Sequence, residues 1–177
     1  MKCILIILPL ALCIITSCQD KKANAELEEF KAQVELEELN KSVIQKYWDG
    51  KWNERRIETL DELQTSDVVY HGTSETMNGR EEYKEAYGHY LSAMQNTKIV
   101  VEELIAEGDR VMSRVQLSAI NKNELGGIPP SGKEVNVTAF TVFRLVDGKI
   151  AEEWEIIDQL GMMMQMGMEL KMKEVNE

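Results

Sequence analysis

Four strand-like segments fill the second half of the chain and limit the folds open to it. The strands are predicted at residues 98–106, 111–120, 133–146 and 149–158. Turn-forming residues separate them: Gly108-Asp109, a Gly/Pro-rich loop at 126–132, and Asp147-Gly148. Asp and Gly both reach positive φ at low energetic cost, so Asp147-Gly148 predicts a two-residue hairpin turn. Strands joined in this way are expected to form an antiparallel sheet.

The first half of the chain has helical periodicity instead. Apolar residues recur at helical spacing over residues 36–48, and this helix is predicted to end near Asp49-Gly50, because glycine commonly follows a helix. A second helix is expected to begin at Asn53 as its N-cap. A short strand at 67–71, a helix at 80–94 and a last helix at 160–173 complete the prediction. Helices followed by antiparallel strands predict an α+β fold, with helices covering one face of a curved sheet.

The N-terminal residues 1–17 have the composition of an export signal. Lys2 supplies a positive charge, and residues 4–15 form an apolar stretch too short to span a bilayer as a stable helix. The stretch ends in Ile-Thr-Ser before Cys18, which resembles the lipobox of bacterial lipoproteins. This resemblance implies cleavage before Cys18, lipidation of Cys18 and attachment to the bacterial cell envelope. Gln19, in place of Asp, indicates the outer membrane.

Charge and cysteine content narrow the function further. The chain has 31 acidic and 20 basic residues, a net charge of −11, which argues against a nucleic-acid partner. Cys3 and Cys13 lie in the predicted signal peptide, so Cys18 alone would remain and neither a disulfide nor a cysteine metal site could form. Acidic residues are concentrated just after it, which predicts a polar acidic tether at 18–34 and a folded domain at 35–177.

Five segments occur in the order typical of SnoaL-like polyketide cyclases. They are YWDGKWN at 47–53, SDVVYHG at 66–72, AEGDRV at 106–111, GIPPSGK at 127–133 and the segment 147–167. The chain resembles this family, also called ester cyclases, over about residues 40–168. The family belongs to the nuclear-transport-factor-2-like superfamily. The resemblance implies an α+β cone, in which a strongly bent antiparallel sheet and the N-terminal helices enclose one pocket, and homodimers that form through the sheet.

Asp158 is the candidate catalytic residue. Strict alternation along residues 150–157 places Trp154, Ile156 and Asp158 on one apolar face, so Asp158 is expected at the edge of a hydrophobic cavity. Burial there would raise its pKa and suit it to acid/base work. Alternatively, Asp158 only caps the following helix. The resemblance favours the catalytic role, because the family pattern matches Trp154, Asp158 and Gly161. It implies removal of a proton next to a carbonyl and an aldol ring closure, without a cofactor or a metal.

Four further residues are candidates for substrate binding. Trp154 shares the predicted pocket face. His71 could orient a carbonyl or relay a proton, or it could be a strand-end histidine bonded to backbone. Arg114 could present a donor to the cavity or form an exposed ion pair. Tyr87 could line the pocket or belong to the core between helix and sheet.

Six methionines crowd the last predicted helix. They are Met162, Met163, Met164, Met166, Met168 and Met172. Thioethers suit Cu(I), which would make this segment a copper site. The alternative is a pliable apolar lid or dimer surface, since methionine adapts to irregular neighbours.

Two functions therefore stay open. One is cofactor-free proton-transfer or aldol-type chemistry on a small hydrophobic carbonyl compound. The other is non-catalytic binding of a lipid, quinone or xenobiotic at the membrane, because the same type of fold hosts both. An exported location is unsuited to cyclisation of a nascent polyketide, which is assembled in the cytoplasm.

Overall fold

The computed structural model describes residues 7–73 and 75–171, with side chains from residue 21 onward. The helices are α1 (Ile7–Trp48), α2 (Thr59–Leu63), α3 (Arg80–Ala93) and α4 (Gln159–Met166), with a π-helical turn at Asp49–Asn53. The strands are β1 (Gln64–His71), β2 (Thr76–Asn78), β3 (Met94–Glu107), β4 (Arg110–Asn121), β5 (Glu134–Val146) and β6 (Lys149–Ile157). Met172 and the first six residues lie outside the described residues. The predicted α+β class is confirmed.

One open, curved sheet contains all six described strands, in the order β2-β1-β6-β5-β4-β3. Its neighbours are antiparallel except for β1 and β6, which run parallel. The predicted Asp147-Gly148 hairpin joins β5 to β6, and both residues have positive φ (49° and 72°). The four predicted strands of the second half are confirmed, each within a few residues of its expected bounds.

In the N-terminal half, the first helix is longer than the apolar stripe at 36–48 indicated, and the second helix begins later than predicted. α1 runs without interruption from Ile7 to Trp48, through the predicted signal, tether and domain start. Asn53 does not cap the second helix, which begins only at Thr59. Its side-chain amide instead bonds the backbone of Ile99 on β3, accepting from N at 2.8 Å and donating to O at 3.1 Å. No helix in the described part of the chain is both long and apolar enough to cross a membrane.

Strict alternation on β4 and β5 separates an inner face of the sheet, covered by helices, from an outer face. The inner side chains pack on the C-terminal part of α1, where Ile44, Tyr47 and Trp48 are fully buried. Burial of such large apolar side chains contributes about 1.5–3 kcal/mol each. This layer forms the core of the domain.

A β-bulge at Ala151 decides which side chains of β6 reach the inner face. On β5, Leu145 pairs with Ile150 but the preceding Arg144 pairs with Glu152, so Ala151 has no partner on that strand. One extra residue reverses the in-and-out alternation of everything that follows it.

Beyond the bulge, the inner face of β6 carries Glu153, Glu155 and Ile157. Glu155 pairs with Thr141 and Ile157 with Ala139, both inner residues of β5. Trp154 and Ile156 lie on the outer face, where Ile156 is 69% exposed. The prediction that Trp154, Ile156 and Asp158 share the pocket face is therefore wrong, because it assumed an uninterrupted alternation.

Candidate functional site

A cavity of about 340 Å³ lies between the helices and the inner face of the sheet. Six aromatic side chains form much of its wall: Trp48, Trp52, Tyr70, Tyr83, Tyr87 and Tyr90. Leu125 and Ile128, from the β4–β5 loop, and Met162 and Met163, from α4, also line it. Two charged side chains, Lys51 and Glu155, lie among these apolar groups, and Glu75 adds a carboxylate from the β2 side.

The π-helical turn places Lys51 in the interior. It continues α1 past Trp48, and it packs Gly50 so closely on Thr59 that a Cβ at residue 50 would collide with the threonine side chain. Lys51 is only 3% exposed. Short π-helical segments are rare and are often found at functional sites.

An aromatic cage surrounds the Lys51 amine. Its Nζ lies 4.6–5.7 Å from the ring centroids of five residues: Tyr47, Trp48, Trp52, Tyr83 and Tyr87. The amine donates hydrogen bonds to the Tyr47 hydroxyl, at 2.6 Å, and to the Tyr83 hydroxyl. Desolvation lowers the pKa of Lys51 to about 8, although the negative charges of Glu153 and Glu155 oppose the shift.

Glu153 is the buried counter-charge behind this amine. It is 1% exposed, and its carboxylate accepts hydrogen bonds from Tyr47 Oη at 2.9 Å and Gln64 Nε2 at 2.8 Å, with Tyr83 Oη at 3.4 Å. Burial raises the pKa of Glu153, while Lys51 counteracts the rise. The two tyrosine hydroxyls thus connect a buried cation to a buried carboxylate.

Glu155 is the β6 carboxylate that lines the cavity. It accepts a hydrogen bond from Tyr70 Oη at 2.9 Å and a weaker one from Thr141 Oγ1 at 3.4 Å. Burial and the neighbouring charge of Glu155 raise the pKa of Tyr70 far above its usual range. Tyr70 therefore remains a protonated donor that holds Glu155 in place.

Together these groups can perform proton chemistry in an apolar enclosure. A carboxylate can accept a proton, and an amine and tyrosine hydroxyls can donate hydrogen bonds to an oxygen that gains negative charge. Low polarity around them strengthens each of these interactions.

Asp158 lies outside the described wall of the cavity. It is exposed and caps α4, its Oδ1 accepting from the Gly161 N–H at 2.8 Å. The expectation that it faces the cavity is therefore wrong, and the alternative of a helix cap describes its contacts. Gly161 suits this cap, because a Cβ there would collide with the Asp158 carboxylate.

Three of the four predicted substrate-binding residues lie on the outer face. Trp154 is stacked between the His71 ring, at 5.3 Å between centroids, and the Arg110 guanidinium, at 5.3 Å. His71 also hydrogen-bonds Glu152 at 3.0 Å. Arg114 forms ion pairs with Glu102 and Glu103 on β3, as the exposed alternative predicted. Alternation along β1, β4 and β6 turns all three side chains away from the cavity.

Tyr87 does line the cavity, and its hydroxyl donates to the Lys51 carbonyl oxygen. The methionines divide between two environments. Met162 and Met163 lie in the cavity wall, whereas Met164 and Met168 are exposed. Cys18 falls within α1, in the part of the helix whose side chains are not described.

Sequence reasoning missed Lys51, Glu153 and Glu155. A signal for the two carboxylates was present, since they alternate with Trp154 on a strand. Uninterrupted alternation places them opposite Trp154, Ile156 and Asp158, and so on the face that was expected to lie outside the pocket. For Lys51, a lysine between Trp48 and Trp52 is the available hint, but helical periodicity alone gives no sign of a π-helical turn.

Known proteins share both the sequence pattern and the fold. The family model of SnoaL-like polyketide cyclase matches residues 42–166. No curated protein matches the chain at a significant level. A SnoaL-like protein from Jannaschia sp. CCS1 has 24% sequence identity and a TM-score of 0.70, covering 74% of this chain and 93% of that one.

Two further structures show the breadth of the likeness. IdmH from Streptomyces antibioticus, a proposed polyketide cyclase, is 26% identical, with a TM-score of 0.63 over 73% of this chain and 99% of its own. A protein of ketosteroid isomerase-like fold from Catenulispora acidiphila, solved with trimethylamine, is 16% identical, with a TM-score of 0.62 over 72% and 93%. Because the family model covers well over half of the sequence, the chain belongs to the SnoaL-like polyketide cyclase family.

Proposed function

We propose that the protein binds a small, mainly apolar carbonyl compound in the cavity and catalyses proton transfer at the carbon next to the carbonyl. The observation that carries this proposal is the presence of Lys51 and Glu155 in the lining of one largely aromatic cavity. Binding of small hydrophobic ligands in a pocket is a property of the SnoaL-like family. A tuned pair of ionisable groups in an apolar enclosure is what such proton transfer requires.

In the proposed reaction, Glu155 takes the proton and returns it. Its carboxylate lines the cavity and is held by Tyr70 and Thr141, so it is oriented before the ligand enters. The carbonyl oxygen gains negative charge as the proton leaves, and the Lys51 amine stabilises this charge. The sequence predicted this type of chemistry for Asp158. We assign it instead to Glu155, whose carboxylate lines the cavity.

We further propose that the domain is attached to the cell envelope through lipidated Cys18. The lipobox-like sequence is the basis of this proposal. Support comes from residues 21–36 of α1, which are all exposed and carry four glutamates and three lysines. A helical stretch of this length would extend roughly 24 Å at 1.5 Å per residue. Such a spacer would keep the cavity clear of the membrane surface.

Hydrogen–deuterium exchange on a model ketone tests the catalytic proposal. The protein without its signal segment is incubated with 2-tetralone in D₂O, and loss of the proton next to the carbonyl is followed by NMR. We expect the protein to accelerate the exchange, and Glu155→Gln to reduce that acceleration about a hundredfold, as loss of a general base does.

Asp158→Asn is the matched control, because asparagine caps a helix as well as aspartate does. It should leave the exchange rate unchanged. A larger loss in Asp158→Asn than in Glu155→Gln would return the role to Asp158. Ligand binding without any accelerated exchange in the unmodified protein would support the non-catalytic membrane-anchored binder instead.

A further inference from the structure

We propose that Lys51 is a covalent binding site for carbonyl compounds, at which its side-chain amine condenses with the ligand to form an imine. The inference rests on the proposed function for the class of ligand, and adds how the carbonyl is held. Lys51 belongs to the lining of the cavity and is only 3% exposed. A lysine desolvated in a hydrophobic pocket is the usual setting for an amine nucleophile.

Burial of the amine enlarges its neutral, nucleophilic fraction, while the charged form still predominates near pH 7. The rings of the cage surround Nζ, and the hydroxyls of Tyr47 and Tyr83 accept its hydrogen bonds and fix its position. With the pKa of Lys51 lowered to about 8, its neutral fraction near pH 7 is roughly two hundred times that of an ordinary lysine. The buried Glu153 keeps the amine from losing its charge altogether, which preserves a proton for the later step.

The condensation balances without any further reactant. The nitrogen lone pair attacks the carbonyl carbon, a C–N bond forms, and the carbonyl π electrons move to oxygen. One proton passes from nitrogen to that oxygen. The Tyr83 hydroxyl, which accepts a hydrogen bond from Nζ, is placed to relay it. The second proton is the one that the ammonium form of Lys51 first gives up, through the Tyr47 hydroxyl, to the Glu153 carboxylate. Returned to the hydroxyl of the adduct, it releases the oxygen as water and leaves a protonated imine, and attack by water reverses the sequence.

A protonated imine would make the proposed proton transfer easier. It withdraws electrons from the adjacent carbon more strongly than a hydrogen-bonded carbonyl does, so that carbon becomes more acidic. Glu155, which lines the same cavity, is the carboxylate that would take the proton. In this scheme Lys51 holds the carbonyl carbon while Glu155 acts on the neighbouring one.

Reductive trapping tests the site directly. The protein is mixed with benzaldehyde, which has no proton next to its carbonyl, and with sodium cyanoborohydride, which converts an imine to a stable benzylamine. Peptide mass spectrometry then gives the rate of labelling at each lysine. Lys51 should be labelled at least about tenfold faster than the exposed Lys98 and Lys122, in line with its larger neutral fraction.

The outcomes separate this inference from the proposed function. Labelling of Lys51 no faster than that of Lys98 and Lys122 in the unmodified protein overturns the inference, whether or not 2-tetralone exchange occurs. Fast labelling of Lys51 that persists in Glu155→Gln supports it, because the amine is intact in that variant. Fast labelling in a protein that does not accelerate exchange also supports the amine site, while the proposed catalytic function then fails. Lys51→Met, checked for folding by circular dichroism, gives the background.

Discussion

At the scale of single residues, Lys51 and Glu153 form a buried pair of opposite charges joined through tyrosine hydroxyls. Both side chains are buried away from solvent. Their charges compensate each other, and both form hydrogen bonds with the hydroxyls of Tyr47 and Tyr83. Removing one member of such a pair leaves an uncompensated charge and typically costs 3–5 kcal/mol.

The first prediction concerns the stability of the fold as a function of pH. The folded-state pKa of Lys51, about 8, is below that of an unfolded lysine, so the unfolded chain binds more protons between these values. The contribution of Lys51 to the free energy of unfolding is therefore lowest near neutral pH and rises as the pH increases. Between about pH 7 and about pH 9.5, the free energy of unfolding of the unmodified protein should rise by about 2 kcal/mol relative to Lys51→Met.

Chemical denaturation of both proteins at each pH measures this difference. Taking the difference between the two proteins cancels the titration of groups that they share. A constant difference across the range would mean that Lys51 titrates as an ordinary lysine.

The second prediction concerns the charge of Glu153. Its negative charge raises the pKa of Lys51 against the effect of burial, so Glu153→Gln should lower the Lys51 pKa below about 8. The pKa is measured from the ¹³Cε chemical shift of labelled lysine, with the Lys51 signal assigned by its loss in Lys51→Met. Glu152→Gln, on the outer face of the same strand, is the control and should not shift it. A Lys51 pKa that stays unchanged in Glu153→Gln would show that Glu153 carries no charge there.

At the scale of secondary-structure elements, α4 depends on the contact between Asp158 and Gly161. Asp158→Ala should cost about 1 kcal/mol in the free energy of unfolding, as N-cap removal usually does. Gly161→Ala should cost a similar amount, because its Cβ would displace the Asp158 carboxylate. The double variant should lose no more than either single one, since both remove the same cap.

Thermal and denaturant unfolding of the three variants test this prediction. Asp158→Asn, which keeps the cap, should be within a few tenths of a kcal/mol of the unmodified protein. Additive losses in the double variant would contradict the shared contact.

At the scale of the whole molecule, we expect the boundary of the folded domain to lie inside α1. Residues 21–36 are exposed, and Glu37 is the first residue of this region with a described contact to the sheet, accepting from the Gly108 N–H at 3.0 Å. The buried Asn40 donates to the Gly108 carbonyl oxygen at 3.0 Å. A helix segment without such contacts adds little to the stability of the domain.

A chain that begins at residue 35 should therefore unfold within about 0.5 kcal/mol of one that begins at residue 21. A chain that begins at residue 42 removes Glu37 and Asn40 and should lose about 1–3 kcal/mol, because the Gly108 backbone groups lose their partners. Denaturant unfolding of the three chains measures both differences. A marked loss on removal of residues 21–34 would move the domain boundary toward the N-terminus.

Much of the fold follows from local sequence signals. The four long strands, the Asp147-Gly148 turn and the apolar stripe of α1 were all predictable, because alternation, turn chemistry and helical spacing are properties of short segments. The site was less predictable. Of the residues that form it, Tyr87 alone was named as a candidate for binding, and the helix cap at Asp158 was an alternative rather than the preferred interpretation.

The sequence by itself determined the α+β class, the order of its elements and the family, since each is encoded in contiguous patterns. Tertiary structure alone decided which carboxylate faces the cavity. The bulge at Ala151 arises from pairing between β5 and β6, and it reverses the faces of β6, so that Glu153 and Glu155 turn inward and Trp154 outward. The π-helical turn buries Lys51 in the same way. Local spacing cannot foresee either change, because both depend on how separate elements pack.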